Sequence, residues 1–189
     1  MSRPAFVFGA MSPYSWFAAE RVEALLGPVR WWPVFAGGLF KSRGTPSWGL
    51  TGERDGKLAD CEARAERHGL GPIAWPDPWP TVDLKVARAL TWADGHGAAR
   101  ELALAAMRIA FREGRDLDDL ATVAEAARRA GLDPEAVLAA IDDDEVKRAT
   151  RAATDAAFDL GVRGVPTIVV DGALFWGDDR LEDAAAALR

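Results

Sequence analysis

The sequence predicts an α/β fold in which a βαβ unit and a ββα unit are separated by a long helical insertion. Three observations predict it. A short apolar run, Ala5 to Phe8, leads into a helix start at Ser12-Pro13, and a second strand-like run spans Val29 to Phe35. From Leu84 to Leu160 the chain is rich in Ala, Leu, Arg and Glu at helical spacing. Two apolar runs, Thr167 to Val170 and Ala173 to Trp176, then flank Asp171-Gly172, a dipeptide that favours a hairpin.

Each element has a local reason. Ala5 to Phe8 has the aromatic and β-branched character of a buried strand. Pro13 suits the first turn of a helix, where its missing N–H is not needed. That helix carries Phe17, Ala18, Val22, Leu25 and Leu26, and Gly27-Pro28 stops it. Strand, helix, strand in this order makes a βαβ unit. Gly37 to Pro80 is rich in Gly, Pro and Trp, with one charged helical stretch from Gly56 to His68. Further on, Asp116 reads as an N-cap before Leu117 and Leu120, with Asp119 three residues later. Gly131 reads as a helix stop, and Asp133-Pro134-Glu135 restarts a helix with cap, proline and first-turn acid in order. Asp178 to Leu188 reads as a last helix, with Leu181, Ala184, Ala185 and Leu188 on one apolar face.

Composition bounds the function. The chain has 189 residues, about half of them apolar, which is enough for a sizeable core. Its net charge of −6 argues against nucleic-acid and anionic-membrane partners. No apolar run approaches the ~18 residues of a membrane span, and Met1-Ser2-Arg3-Pro4 opens without a signal-peptide pattern. Cys61 is the only cysteine, so no internal disulfide forms. The expectation is a soluble protein of the reducing cytoplasm.

Several residues can carry chemistry, each with a plainer alternative. Ser12 can serve simply as an N-cap. It can also act with the helix start, where free N–H groups and the dipole stabilise an anion, by donating a hydrogen bond to a thiolate. The chain has no thiol at that point, so the thiol would have to be brought in. Asp178 and Asp179 can cap the last helix or meet an ammonium group. Lys41 can be a solvated lysine or the partner of a carboxylate. Trp48, Trp75 and Trp79 can pack in the core or wall an apolar cleft. His68 and His96 lack ligand spacing, so no metal is expected, and nothing near Cys61 marks it as activated.

Two segments carry a family resemblance. Phe6-Val7-Phe8 runs into Ser12-Pro13-Tyr14-Ser15, and Gly164-Val165-Pro166-Thr167 runs into Ile168-Val169-Val170. Together they resemble the active-site pair of the thioredoxin superfamily, with Ser12-x-x-Ser15 where redox members carry Cys-x-x-Cys. The chain resembles the DsbA-like branch that includes 2-hydroxychromene-2-carboxylate isomerase and the kappa-class glutathione transferases. This implies a thioredoxin-like domain of residues 1–36 and 158–189, interrupted by an α-helical insertion domain of residues 37–157.

The resemblance also implies glutathione as cofactor. Ser12 would face its sulfur, and Val165, before a cis Pro166, would pair with its cysteinyl backbone. Gly177-Asp178-Asp179-Arg180 resembles the family segment that holds the γ-glutamyl end, and Phe175-Trp176 before it reads as packing. Lys41, in a segment that reaches over glutathione in the family, would meet a carboxylate. Two asparagines usual in the family are absent, with Arg43, Gly44 and Thr45 near one position and Val82 at the other. The implied activity is glutathione-dependent isomerisation of a small aromatic or conjugated substrate, within aromatic-compound degradation. A kappa-class-like transferase and a non-catalytic glutathione-binding protein are the alternatives. Many relatives form homodimers, although no heptad seam or distinct patch here fixes an interface.

Overall fold

The computed structural model describes residues 3–188; Met1 and Ser2, on which part of the N-terminal reading falls, and Arg189 lie outside the described residues. The first half of the chain forms β1 (Ala5–Phe8), α1 (Pro13–Ala19), α2 (Val22–Leu26), β2 (Arg30–Pro33), α3 (Ala36–Arg43) and α4 (Arg54–Arg67). Helices α5 (Leu84–Gly95), α6 (Ala99–Glu113), α7 (Leu120–Arg129), α8 (Pro134–Asp142) and α9 (Asp144–Asp159) follow. The chain closes with β3 (Thr167–Val170), β4 (Ala173–Trp176) and α10 (Leu181–Ala187).

The four strands make one sheet in the order β2-β1-β3-β4. β1 pairs parallel to β2, with Phe6 opposite Trp31, and antiparallel to β3, with Phe6 opposite Ile168. β3 and β4 form the predicted hairpin around Asp171-Gly172. Alternation along β1 sends Phe6 and Phe8 to one face and Val7 to the other. On the first face Phe6 and Phe8 stack at 5.1 Å and both meet the edge of Trp31. That cluster runs without interruption into Leu90, Leu102, Met107 and Phe111 of α5 and α6. On the second face Val7 packs with Val34, Leu39, Ala157 and Val165.

The expected helix after Ser12 is two helices. Backbone hydrogen bonding shortens at Glu20-Arg21, where the Arg21 N–H donates to Ala18 O at 3.0 Å. The break lets α1 lie against α6 while α2 turns onto α10. Both residues at the break are held from outside: Glu20 accepts from Trp16 and Arg108, and Arg21 pairs with Glu182. A second correction concerns Asp116. The cap of α7 is Asp119, whose carboxylate accepts the Ala121 N–H at 3.1 Å. Asp116 instead closes the preceding turn, accepting from the Asp118 N–H at 2.9 Å and the Thr81 hydroxyl at 2.7 Å. Asp178 does not open an α-helix either: Asp178–Arg180 is a single 3₁₀ turn that leads into α10. The Asp133-Pro134-Glu135 start forms as read, with Asp133 capping the Glu135 N–H.

Helix α9 is tied to the end of β2. Trp32 Nε1 donates to Ala153 O at 3.2 Å, and the Phe35 N–H donates to Thr154 Oγ1 at 3.0 Å. Thr154 is buried and donates its own proton to Thr150 O at 2.8 Å. A valine there keeps the shape and orphans the Phe35 N–H, so Thr154→Val is expected to cost about 1–3 kcal/mol. Urea unfolding checks this as a lower midpoint at unchanged slope; an unchanged midpoint would show that the bond holds nothing.

Candidate active site

The main cleft lies where the start of α1, α3 and the β3 entry meet the Trp-rich segment, and its volume is about 1120 Å³. That is ample for a peptide-sized cofactor beside a small substrate. All six residues marked from sequence as cofactor contacts line it: Ser12, Lys41, Val165, Pro166, Asp178 and Asp179.

Ser12 sits at the N-cap of α1 with extended backbone, and its Oγ accepts the Ser15 N–H at 3.2 Å. The cap reading of this residue is thus observed, and its geometry leaves room for the other. As an acceptor the hydroxyl caps the helix, and its proton stays available for an anion in the cleft. Ser15, one turn on, is fully buried, with no partner for its Oγ among the described residues. The Val165–Pro166 bond is cis, and both residues are buried at the head of β3.

The two aspartates divide. Asp178 is only 2% exposed and accepts from Arg64 Nη1 of α4 at 2.8 Å, with His68 Nε2 at 3.7 Å. Burial pushes its carboxyl above the usual range, against the pull of Arg64. Burial and the nearby Arg21 hold the His68 imidazole below its ordinary value. Asp179, by contrast, is exposed on the cleft. Lys41 is exposed on α3 and also lines the cleft.

Aromatic rings build the wall. Trp48 and Trp79 line the cleft 4.9 Å apart, and Trp75 lies behind Trp79 at 4.8 Å. Trp79 Nε1 donates to Met11 O at 3.3 Å, which pins the residue preceding Ser12. Tyr14 lines the wall under the Arg64 guanidinium, and burial raises its hydroxyl well above the ordinary value. Of the pair read as packing, Phe175 packs against the core while Trp176 does not: it is 54% exposed on the cleft rim. Its indole lies over Gly164, where a Cβ would come within 2.6 Å of the ring. Leu50 and Val82 are also exposed on the cleft. Cys61 lies fully buried beside Tyr14, and burial pushes its thiol up to about 12.

Asp83 was missed by the sequence reading. It lines the cleft, is 5% exposed, and its Oδ2 has no hydrogen-bond partner among the described residues. Burial pushes its carboxyl up to about 7. Its place just before α5 resembles a routine cap, so the sequence carried no signal of burial.

Among the described residues no cluster of three or more His, Cys, Asp or Glu side chains could hold a metal, and no helix is long and apolar enough to cross a membrane. The donor set suits a thiol peptide: a hydroxyl proton for sulfur, an exposed carboxylate for an ammonium group, and an exposed lysine for a carboxylate.

Comparison with known proteins agrees with this architecture. Part of the chain is 29% identical over 125 residues to a 2-hydroxychromene-2-carboxylate isomerase of Sphingobium xenophagum, covering 66% of this chain and 63% of that relative. A solved 2-hydroxychromene-2-carboxylate isomerase superposes with a TM-score of 0.87 at 21% identity, over 99% of this chain and 94% of the other. The cytosolic disulfide reductase DsbM of Pseudomonas aeruginosa, solved with glutathione, superposes at 0.62 and 14% identity, over 99% and 97% of the two chains. The model of the DSBA-like thioredoxin domain matches residues 5–189, and with it the chain belongs to the DSBA-like thioredoxin family.

Proposed function

We propose that the protein is a glutathione-dependent isomerase of the 2-hydroxychromene-2-carboxylate isomerase type, working in the cytoplasm. The observation that carries this reading is a hydroxyl with a free proton, Ser12, on the same cleft as the cis Val165–Pro166 bond. The isomerase relative in Sphingobium and the glutathione-bearing DsbM structure support it.

When bound, glutathione supplies a thiolate nucleophile for a conjugated, electron-poor substrate. The chain's own part is binding and positioning. The Ser12 hydroxyl donates to the sulfur and holds it as the anion. Val165 offers its main chain to the cysteinyl backbone. Asp179 takes the γ-glutamyl ammonium, while Asp178, already paired with Arg64, braces the turn that presents it. Lys41 meets a carboxylate of the tripeptide or of the substrate. The aromatic wall of Trp48 and Trp79 excludes water and favours a flat, apolar substrate. Disulfide exchange is disfavoured, because Ser12 and Ser15 are hydroxyls and Cys61 is sealed.

Calorimetric titration with reduced glutathione is expected to show one saturable site. Ser12→Ala is expected to weaken it ~10-fold or more, since a hydrogen bond to a charged group contributes about 1.5–3 kcal/mol. S-methylglutathione, which has no thiolate, should bind both forms alike. Absence of binding by the wild type would remove glutathione from the reading, and equal affinity of the two forms for glutathione would return Ser12 to a helix cap alone.

A further inference from the structure

Asp83 stands at the N-cap position of α5, yet its side chain accepts nothing from that helix. A cap aspartate normally satisfies an amide of the first turn. This one turns away, toward the junction of three other elements. A Cβ built on Gly9, at the end of β1, would lie 3.4 Å from Asp83 Oδ2, 3.4 Å from Val165 Cγ2 and 2.9 Å from Ala36 Cβ. The carboxyl is thus packed among Gly9, the start of α3 and the residue before Pro166.

Among the described residues no charge compensates it. Its carboxyl faces only the backbone N–H groups of Ala36 and of Asp83 itself, and no charged side chain acts on it from β1, α3 or the β3 entry. Lys41, Arg43 and Arg64 line the same cleft without reaching it. The neighbouring Lys85 is engaged by Asp118 at 3.2 Å. A buried, unpaired carboxylate is costly, so a proton resides there near neutral pH. A proton held in a substrate cleft at the working pH is what general acid–base chemistry needs.

We propose that Asp83 is the acid–base group of this cleft, serving a substrate that carries a conjugated carbonyl. The proposal rests on the isomerase reading above and supplies the proton that reading leaves without a carrier. The hydroxychromene opens first: its C2–ring oxygen bond breaks, the C2 hydroxyl becomes the carbonyl, and the hydroxyl proton ends on the phenol oxygen that is released. As the thiolate's electron pair then forms a bond to the alkene carbon of this open form, the π pair moves to the carbonyl oxygen. The Asp83 O–H proton passes to that oxygen and leaves a carboxylate. Rotation occurs about the carbon–carbon bond that has become single. Asp83 then takes the proton back, the double bond reforms and the thiolate departs. Nothing is oxidised, and the proton count is restored.

The test uses the full chain, reduced glutathione and 2-hydroxychromene-2-carboxylate, with Asp83→Asn as the variant. Turnover by the variant is expected to fall ~10²-fold or more, with glutathione affinity unchanged within twofold. The wild-type kcat/KM should decline above about pH 7 as Asp83 ionises, and the variant should lack that limb. Two readouts are independent of activity. Carbon-13 labelling of aspartate carboxyls should show one resonance titrating near pH 7, absent from the variant. The melting temperatures should also cross over with pH. The native state keeps a proton that the unfolded chain loses from about pH 4 upward, so wild-type stability falls as pH rises from about 4 to about 7. Asp83→Asn escapes this loss and should melt several degrees above the wild type at pH 8, but not at pH 5.

An active Asp83→Asn enzyme, a falling limb that persists in it, or no aspartate resonance titrating above about pH 5 overturns the assignment while leaving the isomerase reading intact. A wild type that neither binds glutathione nor converts the substrate overturns both.

Discussion

The sheet cannot bury itself, and the rest of the molecule follows from that constraint. Four strands of four residues each offer two small faces. Neither closes without helices from the middle of the chain. Phe6, Phe8 and Trp31 need α5 and α6 above them, and Val7 and Val165 need α3 and α9 below. The helical segment between β2 and β3 is therefore part of one core with the sheet, and the cleft forms along the seam where they meet. The Trp79 indole shows the dependence at atomic scale. It belongs to the irregular segment before α5, yet its N–H holds the carbonyl of Met11 beside the Ser12 cap.

Along that seam, charges fall into two kinds. Arg64 and Asp178 neutralise each other within a network that also includes Asp60 and His68. These groups fix a turn and leave little free charge for a ligand. Asp179 and Lys41 stand in solvent on the cleft and can accept partners at little desolvation cost. Asp83 belongs to neither kind, being buried without a counter-ion among the described residues. The cleft thus has satisfied charges beneath, open charges on its surface and one buried acid in its wall, the combination that the proposed peptide cofactor and proton transfer call for.

Much of the fold was legible in the sequence because its signals are local. The Asp171-Gly172 hairpin, the Asp133-Pro134-Glu135 helix start and the alternation of Phe6, Val7 and Phe8 each express a preference of a few adjacent residues. Reading failed where distant partners decided. Glu20 and Arg21 break a helix because Arg108 and Glu182 hold them from outside. Asp116 closes a turn with Thr81, and Asp119 takes the cap. In the site, Ser12 and Pro166 stood out because each opens an element. Asp83 did so too, but its burial depends on the approach of Gly9 and Ala36, which no local pattern announces. Trp176 was obscured for the opposite reason: an apolar pair ending a strand suggests packing, and only the bare Gly164 beneath the ring lets it lie at the rim.

The burial of Cys61 has a practical consequence. The chain's only thiol is sealed behind Tyr14 and stays protonated through neutral pH. Thiolate absorbance in a neutral solution of the folded protein therefore comes from an added thiol, and any excess over the free thiol's own from the thiol that is bound. In a difference spectrum the protein's own thiol is therefore silent, and ionisation of a visiting sulfur can be followed with no cysteine removed.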